Sequence, residues 1–370
     1  MIKDEHAVAP HERILSIDAL RGFDMFLIIG GYEIITGFIK AADNRFLNSL
    51  LLQTTHAPWR GFHFWDLIMP LFLFIVGVAM PFSFHKRLLR GDSKKQLYFH
   101  IIKRFVILFF LGMTAQGHLL EYDLSKLHIY CNTLQAIAAG YLIASIIILN
   151  MNIAARIITT AVLLLLFWAV MVLVPVPGSP AGVLTPDGNL AIYIDRLILG
   201  RFQDGTHYTW ILSSITFACT VMLGTMAGSL LRSQKTPSAK VAYLAAAGFA
   251  TLVLGLLWNF TFPIIKHLWT SSFVLFSGGI CFLLLAGFYL VIDVWRLHKW
   301  AFGFVVIGTN AIAVYMATRL FDFRTIGNIF VGGLAESSGP WNDFVSATAG
   351  FAVVWLILYW MYRSKSFIKI

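Results

Sequence analysis

Ten stretches of roughly 20 residues, nearly free of charge, dominate this chain of 370 residues. An α-helix needs about 20 apolar residues to cross a bilayer core, and lipid admits only helices and closed barrels as spanning structures. The stretches run at 16–39, 64–84, 101–120, 127–150, 157–174, 208–231, 241–263, 269–292, 300–319 and 344–362. They predict an all-α polytopic bundle of about ten transmembrane helices embedded in a lipid bilayer. Composition agrees, with 58% hydrophobic and only 12% charged residues. A soluble domain carries about 25% charge, so this chain cannot coat a water-facing surface, which excludes a soluble enzyme. Aromatic residues at 15% exclude a disordered chain.

The net charge of +10 is distributed unevenly. With both termini placed in the cytoplasm, alternation puts 19 of the 28 Lys and Arg residues on the cytoplasmic side, among them Arg21, Lys86, Arg87, Lys103, Arg104, Arg232 and Arg363. The positive-inside rule selects that orientation. The basic excess is then a topology signal, and no nucleic-acid partner is expected. The first 15 residues are polar and mixed in charge, so no cleaved signal peptide is expected. The three cysteines lie in apolar runs without metal-type spacing, and no metal site is expected. The absence of an internal repeat argues against repeat-built transporters.

Ionisable groups are costly inside lipid, at least ~2.5–3.5 kcal/mol on insertion scales, yet the first span keeps Asp18, Arg21, Asp24 and Glu33. Asp18 and Arg21 share a helix face and can pair. The pair reads either as an interfacial ion pair or as an anchor for a polar ligand arriving from the cytoplasm. Glu33 returns near the same face about four turns on, ~22 Å along the helix. The second informative segment runs from Thr55 through His56, Trp59, Gly61 and His63 to Asp66. Pro58 and Gly61 set a turn, and histidines and a carboxylate gather at the membrane boundary. A carboxylate beside an imidazole fixes its tautomer and tunes its basicity, which makes His56 with Asp66 a candidate acid–base pair. Polar groups within later spans, including Asn132, Gln135, Ser272 and Asn310, read first as hydrogen bonds between helices.

At these residues the chain resembles the heparan-α-glucosaminide N-acetyltransferase family, in its bacterial branch. The resemblance is carried by Ser16-x-Asp18-x-x-Arg21-Gly22, by His56-Ala-Pro-Trp59-Arg-Gly61 continuing into Asp66-Leu and Pro70 to Gly77, by Leu134-Gln135, by Leu268-Trp269-Thr-Ser-Ser272, and by Gly308-Thr-Asn310. It implies a single transmembrane acyltransferase domain over residues 1–370 in a bacterial plasma membrane. It also implies acetyl transfer from cytosolic acetyl-CoA to the amino group of a glucosamine on the non-cytosolic side. His56 matches the active-site histidine of that family. Two positions depart from its pattern: Tyr32 stands where an Asn is common, and Ala136 where an Arg follows the Leu-Gln pair.

The expected chemistry follows from the compartments. Acetyl-CoA is large and anionic and cannot cross lipid, so an inner donor and an outer acceptor require a path through the bundle. Arg21, Lys103 and Arg104, with Asp18, are expected near the CoA phosphates, and Trp269, Ser272 and Asn310 along the pantetheine arm. His56 is expected as base or transient acetyl carrier, oriented by Asp66, with Glu33, Trp59 and His63 near the amino-sugar acceptor. Two other readings remain: a transporter of sugars or acyl carriers, and an O-acetyltransferase of a cell-envelope glycan. A homodimer stays open.

Overall fold

A computed structural model describes residues 14–368. Lys3, Arg13 and Lys369, counted above at the cytoplasmic end, lie outside the described residues. The described chain is all-α, with no named strand and one isolated β-bridge between Val176 and Ser179. Among the described residues, nine helices are long and apolar enough to span a membrane, or ten if one bent pair counts as a span. They are α1 (Leu15–Ala42), α2 (Phe64–Leu89), α3 (Lys94–Gln116), α4 (Thr133–Asn150), α5 (Ile153–Leu173), α7 (Ser214–Arg232), α8 (Pro237–Trp258), α9 (Ser271–Val294) and α13 (Gly339–Arg363), with the bent pair α10 (Phe302–Thr309) and α11 (Ala311–Leu320). Further helices lie in connections outside the predicted spans: the short Arg45–Leu50, α6 (Leu190–Leu199) and α12 (Phe323–Ser337).

Burial sorts the bundle. The apolar window of α7 is 72% buried, that of α2 67% and that of α4 61%, whereas α8 buries 17% and α3 and α5 22% each. The first three therefore form the centre, and the others present Leu, Ile and Phe outward, as a lipid-facing helix must. Hydrophobic burial does not drive helices together in lipid, so close contact depends on small residues and dispersion. Accordingly, a Cβ added at Gly77 would overlap the Val221 carbonyl, and Cβ atoms at Gly224 and Gly228 would overlap the carbonyls of Phe74 and Val78. The same device joins α1 to α10, where Gly22 lies against the Phe304 carbonyl and Gly308 against the Asp18 carbonyl.

Two helices are interrupted. A π-turn at Leu27–Gly31 breaks α1 beside its cavity face. The predicted span 300–319 is bent by 76° at Asn310. There the side chain donates through Nδ2 to the Ser366 carbonyl and accepts the Ile368 N–H at 2.9 Å, so the C-terminal segment docks into the break.

Candidate active site

His56 lies in the connection between α1 and α2, just before the Pro58–Gly61 turn. Gly61 takes a left-handed φ of 106° that glycine adopts without strain, and its N–H donates to the Ile264 carbonyl at 2.9 Å. That bond ties the connection to a second one, residues 259–270, between α8 and α9. The second connection is itself pinned: Asn259 accepts the Ile264 N–H, and Thr270 Oγ1 accepts the Ile265 N–H while donating to the Pro263 carbonyl. The result places Lys266 against His56.

Asp66 sits in the first turn of the 3-10 segment Phe64–Leu67 that opens α2, where a helix N-terminus favours negative charge. Its Oδ2 accepts the N–H groups of His63 at 2.9 Å and Ala57 at 3.1 Å, which fixes the carboxylate. Its Oδ1 lies 2.8 Å from His56 Nδ1. Lys266 Nζ lies 3.3 Å from the same Oδ1 and 2.9 Å from His56 Nδ1. Asp66 is fully buried and the Lys266 side chain is 7% exposed, whereas the imidazole keeps 46% of its surface open. Burial lowers the Lys266 pKa to about 8, against the pull of Asp66. Beside it, Trp59, His267 and Tyr208 form a stack, with ring centroids 5.1 Å apart for the first pair and 4.4 Å for the second. Burial and the Lys266 charge lower His267 to about 4, so it is a neutral ring in that stack.

His56 and Lys266 open onto a cavity of about 460 Å³, together with Tyr32, Trp65, Gln116, Tyr208 and Arg319. A second cavity, about 520 Å³, lies at the opposite part of the same helices and is lined by Asp18, Arg21 and Arg104 among apolar side chains. The two abut: Ile28, Thr133 and Tyr315 are walls of both. Down α1 the lining passes from Tyr32 and Ile28 to Arg21 and Asp18, and down α2 from Trp65 and Met69 to Phe72, Ile75 and Ala79. Asp18 to Tyr32 is ~21 Å of helix rise, so the stacked cavities extend over much of a bilayer's depth.

The residues singled out from sequence fall into groups. His56 and Asp66 come together, and Asp18, Arg21 and Arg104 line the basic cavity, with Arg21 Nη1 3.5 Å from Asp18 Oδ1. Lys103 is exposed outside that cavity. Trp269, Ser272 and Asn310 are buried but stand on neither cavity wall: Trp269 donates to Thr220 Oγ1 at 2.9 Å, Ser272 bonds Thr270, and Asn310 holds the C-terminal segment. Trp59 braces the loop, donating to the Leu184 carbonyl at 2.8 Å. His63 turns back on Thr55. Glu33 lines a third, polar cavity of about 440 Å³ with Arg319 and Arg324, next to that of His56 and sharing Tyr32 and Arg319 with it. Lys266 was missed from sequence. Its signal was a lone cation inside an apolar connection, flanked by Ile264, Ile265 and Leu268.

Residues 13–188 match a family described as a domain of unknown function, DUF5009. Heparan-alpha-glucosaminide N-acetyltransferase of Homo sapiens is 26% identical over 97% of this chain and 60% of its own length, and the Mus musculus protein of that name is 25% identical over the same shares. The chain thus spans about 60% of the length of the curated relatives it matches. Over nearly all its length the chain is distantly similar to these N-acetyltransferases.

Proposed function

We propose that this protein is a membrane-embedded acetyltransferase that carries acetyl from acetyl-CoA to the amino group of a glucosamine-type sugar. The observation that carries the reading is the pair of abutting cavities, one with arginines for an anionic donor and the other with the Asp66–His56 pair. The positive-inside rule places the basic cavity on the cytoplasmic side. The CoA phosphates then sit by Arg21 and Arg104, and the pantetheine arm passes Ile28, Thr133 and Tyr315 to bring the thioester to His56. Similarity to N-acetyltransferases supports the reaction class.

The step is amine acylation. The acceptor nitrogen attacks the thioester carbonyl, a C–N bond forms and the C–S bond breaks. His56 Nε2 takes the amine proton and returns it to the departing thiolate. Asp66 accepts from Nδ1–H and stabilises the imidazolium that forms in between. The route keeps His56 as base; direct attack by His56 to give an acetyl-imidazole is the other use of the same geometry.

The test is protein purified in detergent, given acetyl-CoA with glucosamine, and read for CoA thiol release and the acetylated sugar. Turnover is expected without any compartment, which a transporter would not give. His56→Ala is expected to keep its abundance and melting profile while turnover falls by about 10²–10⁴-fold. A His56→Ala protein with normal turnover removes the imidazole from the chemistry, and turnover on hydroxyl-only sugars but not on glucosamine redirects the reading to O-acetylation.

A further inference from the structure

Asn310 sits in the break between α10 and α11 and is 1% exposed, yet its amide serves a segment that follows the last helix. Nδ2 donates to the Ser366 carbonyl at 3.2 Å and Oδ1 accepts the Ile368 N–H at 2.9 Å. The one side chain thus grips the backbone on both sides of Phe367. The turn that leads there is built for the purpose. Past the end of α13, Lys365 takes a left-handed φ of 55°. The Ser366 N–H reaches back to the Met361 carbonyl at 2.9 Å, and the Lys365 N–H to the Tyr362 carbonyl at 3.2 Å. That pair of bonds closes a helix and reverses the chain. Undocking the segment would leave a buried amide without partners, which is costly.

The outcome is the position of Phe367. It is half-buried and stands on the wall of the basic cavity with Asp18, Arg21 and Thr309. Its depth follows from the packing of α10, because Gly308, two residues before Asn310, lies against the Asp18 carbonyl. The segment therefore docks at the Asp18 end of α1. The other aromatic walls of that cavity, Phe72 and Tyr315, stand toward His56: Tyr315 also lines the imidazole cavity, and Phe72 follows Met69, which does the same. Tyr362 meets the Phe367 ring edge-on, with centroids 6.3 Å apart, and braces it.

We propose that Phe367, presented by Asn310, is the surface on which the adenine ring of the acetyl donor stacks. The inference rests on the acetyl-CoA reading for the identity of the ligand, though not for the geometry of the segment. CoA carries its phosphates and adenine at one end and the thioester at the other. With the thioester at His56, the nucleotide falls at the Asp18–Arg21 end. The phosphates take the cations there. Arg104 is suited to one, since its Nε is buried with no hydrogen-bond partner among the described residues. Adenine has no charge to offer a cation and needs a flat apolar partner instead. Aromatic side chains supply one, because every base has a π-face to stack. Phe367 is the aromatic wall at that end. Asn310 is then a positioning residue that acts on the donor through the segment it holds.

Two donors separate this role from a structural one: acetyl-CoA, and acetyl-pantetheine, which lacks the nucleotide. Phe367→Ala is expected to raise the KM for acetyl-CoA relative to that for acetyl-pantetheine about tenfold, the loss of one stacked base. Phe367→Trp is expected to keep the wild-type ratio or lower it. Asn310→Ala is expected to raise the same ratio, and the double variant to be no worse than Phe367→Ala alone, because both changes remove one contact. An unchanged ratio in Phe367→Ala, or an equal rise for both donors, overturns the inference. Multiplying effects in the double variant remove Asn310 as the presenting residue. Should Asn310→Ala fail to fold, the Ala and Trp variants of Phe367 decide alone. A second readout needs no turnover: desacetyl CoA titrated by calorimetry is expected to bind Phe367→Ala about tenfold more weakly than wild type. Equal affinity overturns the inference. If CoA binding depends on Phe367 but no acetyl is transferred, the reading of function fails and the stacking inference stands. If acetyl is transferred and neither ratio nor affinity moves, the stacking inference alone fails.

Discussion

At the scale of single residues, the site is organised around one fixed carboxylate. Asp66 holds two backbone N–H groups with one oxygen and the His56–Lys266 pair with the other. Replacement by Asn places an NH2 group against one of those donors and leaves a buried donor unsatisfied, which costs ~1–3 kcal/mol. Asp66→Asn is therefore expected to lower the melting temperature and also to cut turnover by more than tenfold, because Nδ1–H loses its charged acceptor. Thermal unfolding and thiol release measured on the same preparation check both, and a variant impaired in neither would remove Asp66 from its place as orienter. The sequence made this pair legible: an acid ten residues past a histidine, across a Pro–Gly turn. Lys266 was not legible, because 210 residues separate it from His56, and the contacts that bring the two loops together, the Gly61–Ile264 hydrogen bond and the Trp59–His267 stack among them, exist only in the folded chain.

At the scale of helices, the apolar runs located the spans but not their interruptions. Hydropathy reports what lipid accepts and is blind to a side chain that replaces a lost backbone bond, as Asn310 does for the C-terminal segment. The helices α6 and α12 were missed because their apolar stripes are too short to span. What joins the central helices is backbone contact through glycine. Gly224→Leu would drive a side chain into the Phe74 carbonyl, and overpacking of this kind costs about 1–3 kcal/mol. The expected result is a melting temperature several degrees lower and reduced yield in detergent, with Gly287→Leu, whose Cβ meets open space, as the matched control. Equal stability of the two variants would contradict the close α2–α7 approach.

At the scale of the whole molecule, the function proposed depends on two cavities meeting. Ile28, Thr133 and Tyr315 form their common wall, contributed by α1, α4 and α11. A large ring there should separate the ends of the reaction. Ile28→Trp is expected to retain binding of desacetyl CoA at the basic cavity, read by calorimetry, while transfer to glucosamine falls at least tenfold. Unimpaired transfer would mean that the thioester reaches His56 by another route. The break in α1 at Leu27–Gly31 lies at this level too, where the helix changes from lining one cavity to lining the other.

The sequence by itself determined that this chain is an all-α membrane bundle, roughly where its spans lie, and which two residues, His56 and Asp66, to look for together. Each of these depends on spacing along the chain: apolar length for a span, a turn for the pair. Tertiary structure alone decided that Lys266 joins the pair, that Trp269, Ser272 and Asn310 brace the bundle off the cavity walls, and that the basic and imidazole cavities share a wall. Those facts depend on which distant backbones touch, and in lipid that is set by glycine contacts and capped loop ends, to which hydropathy is indifferent.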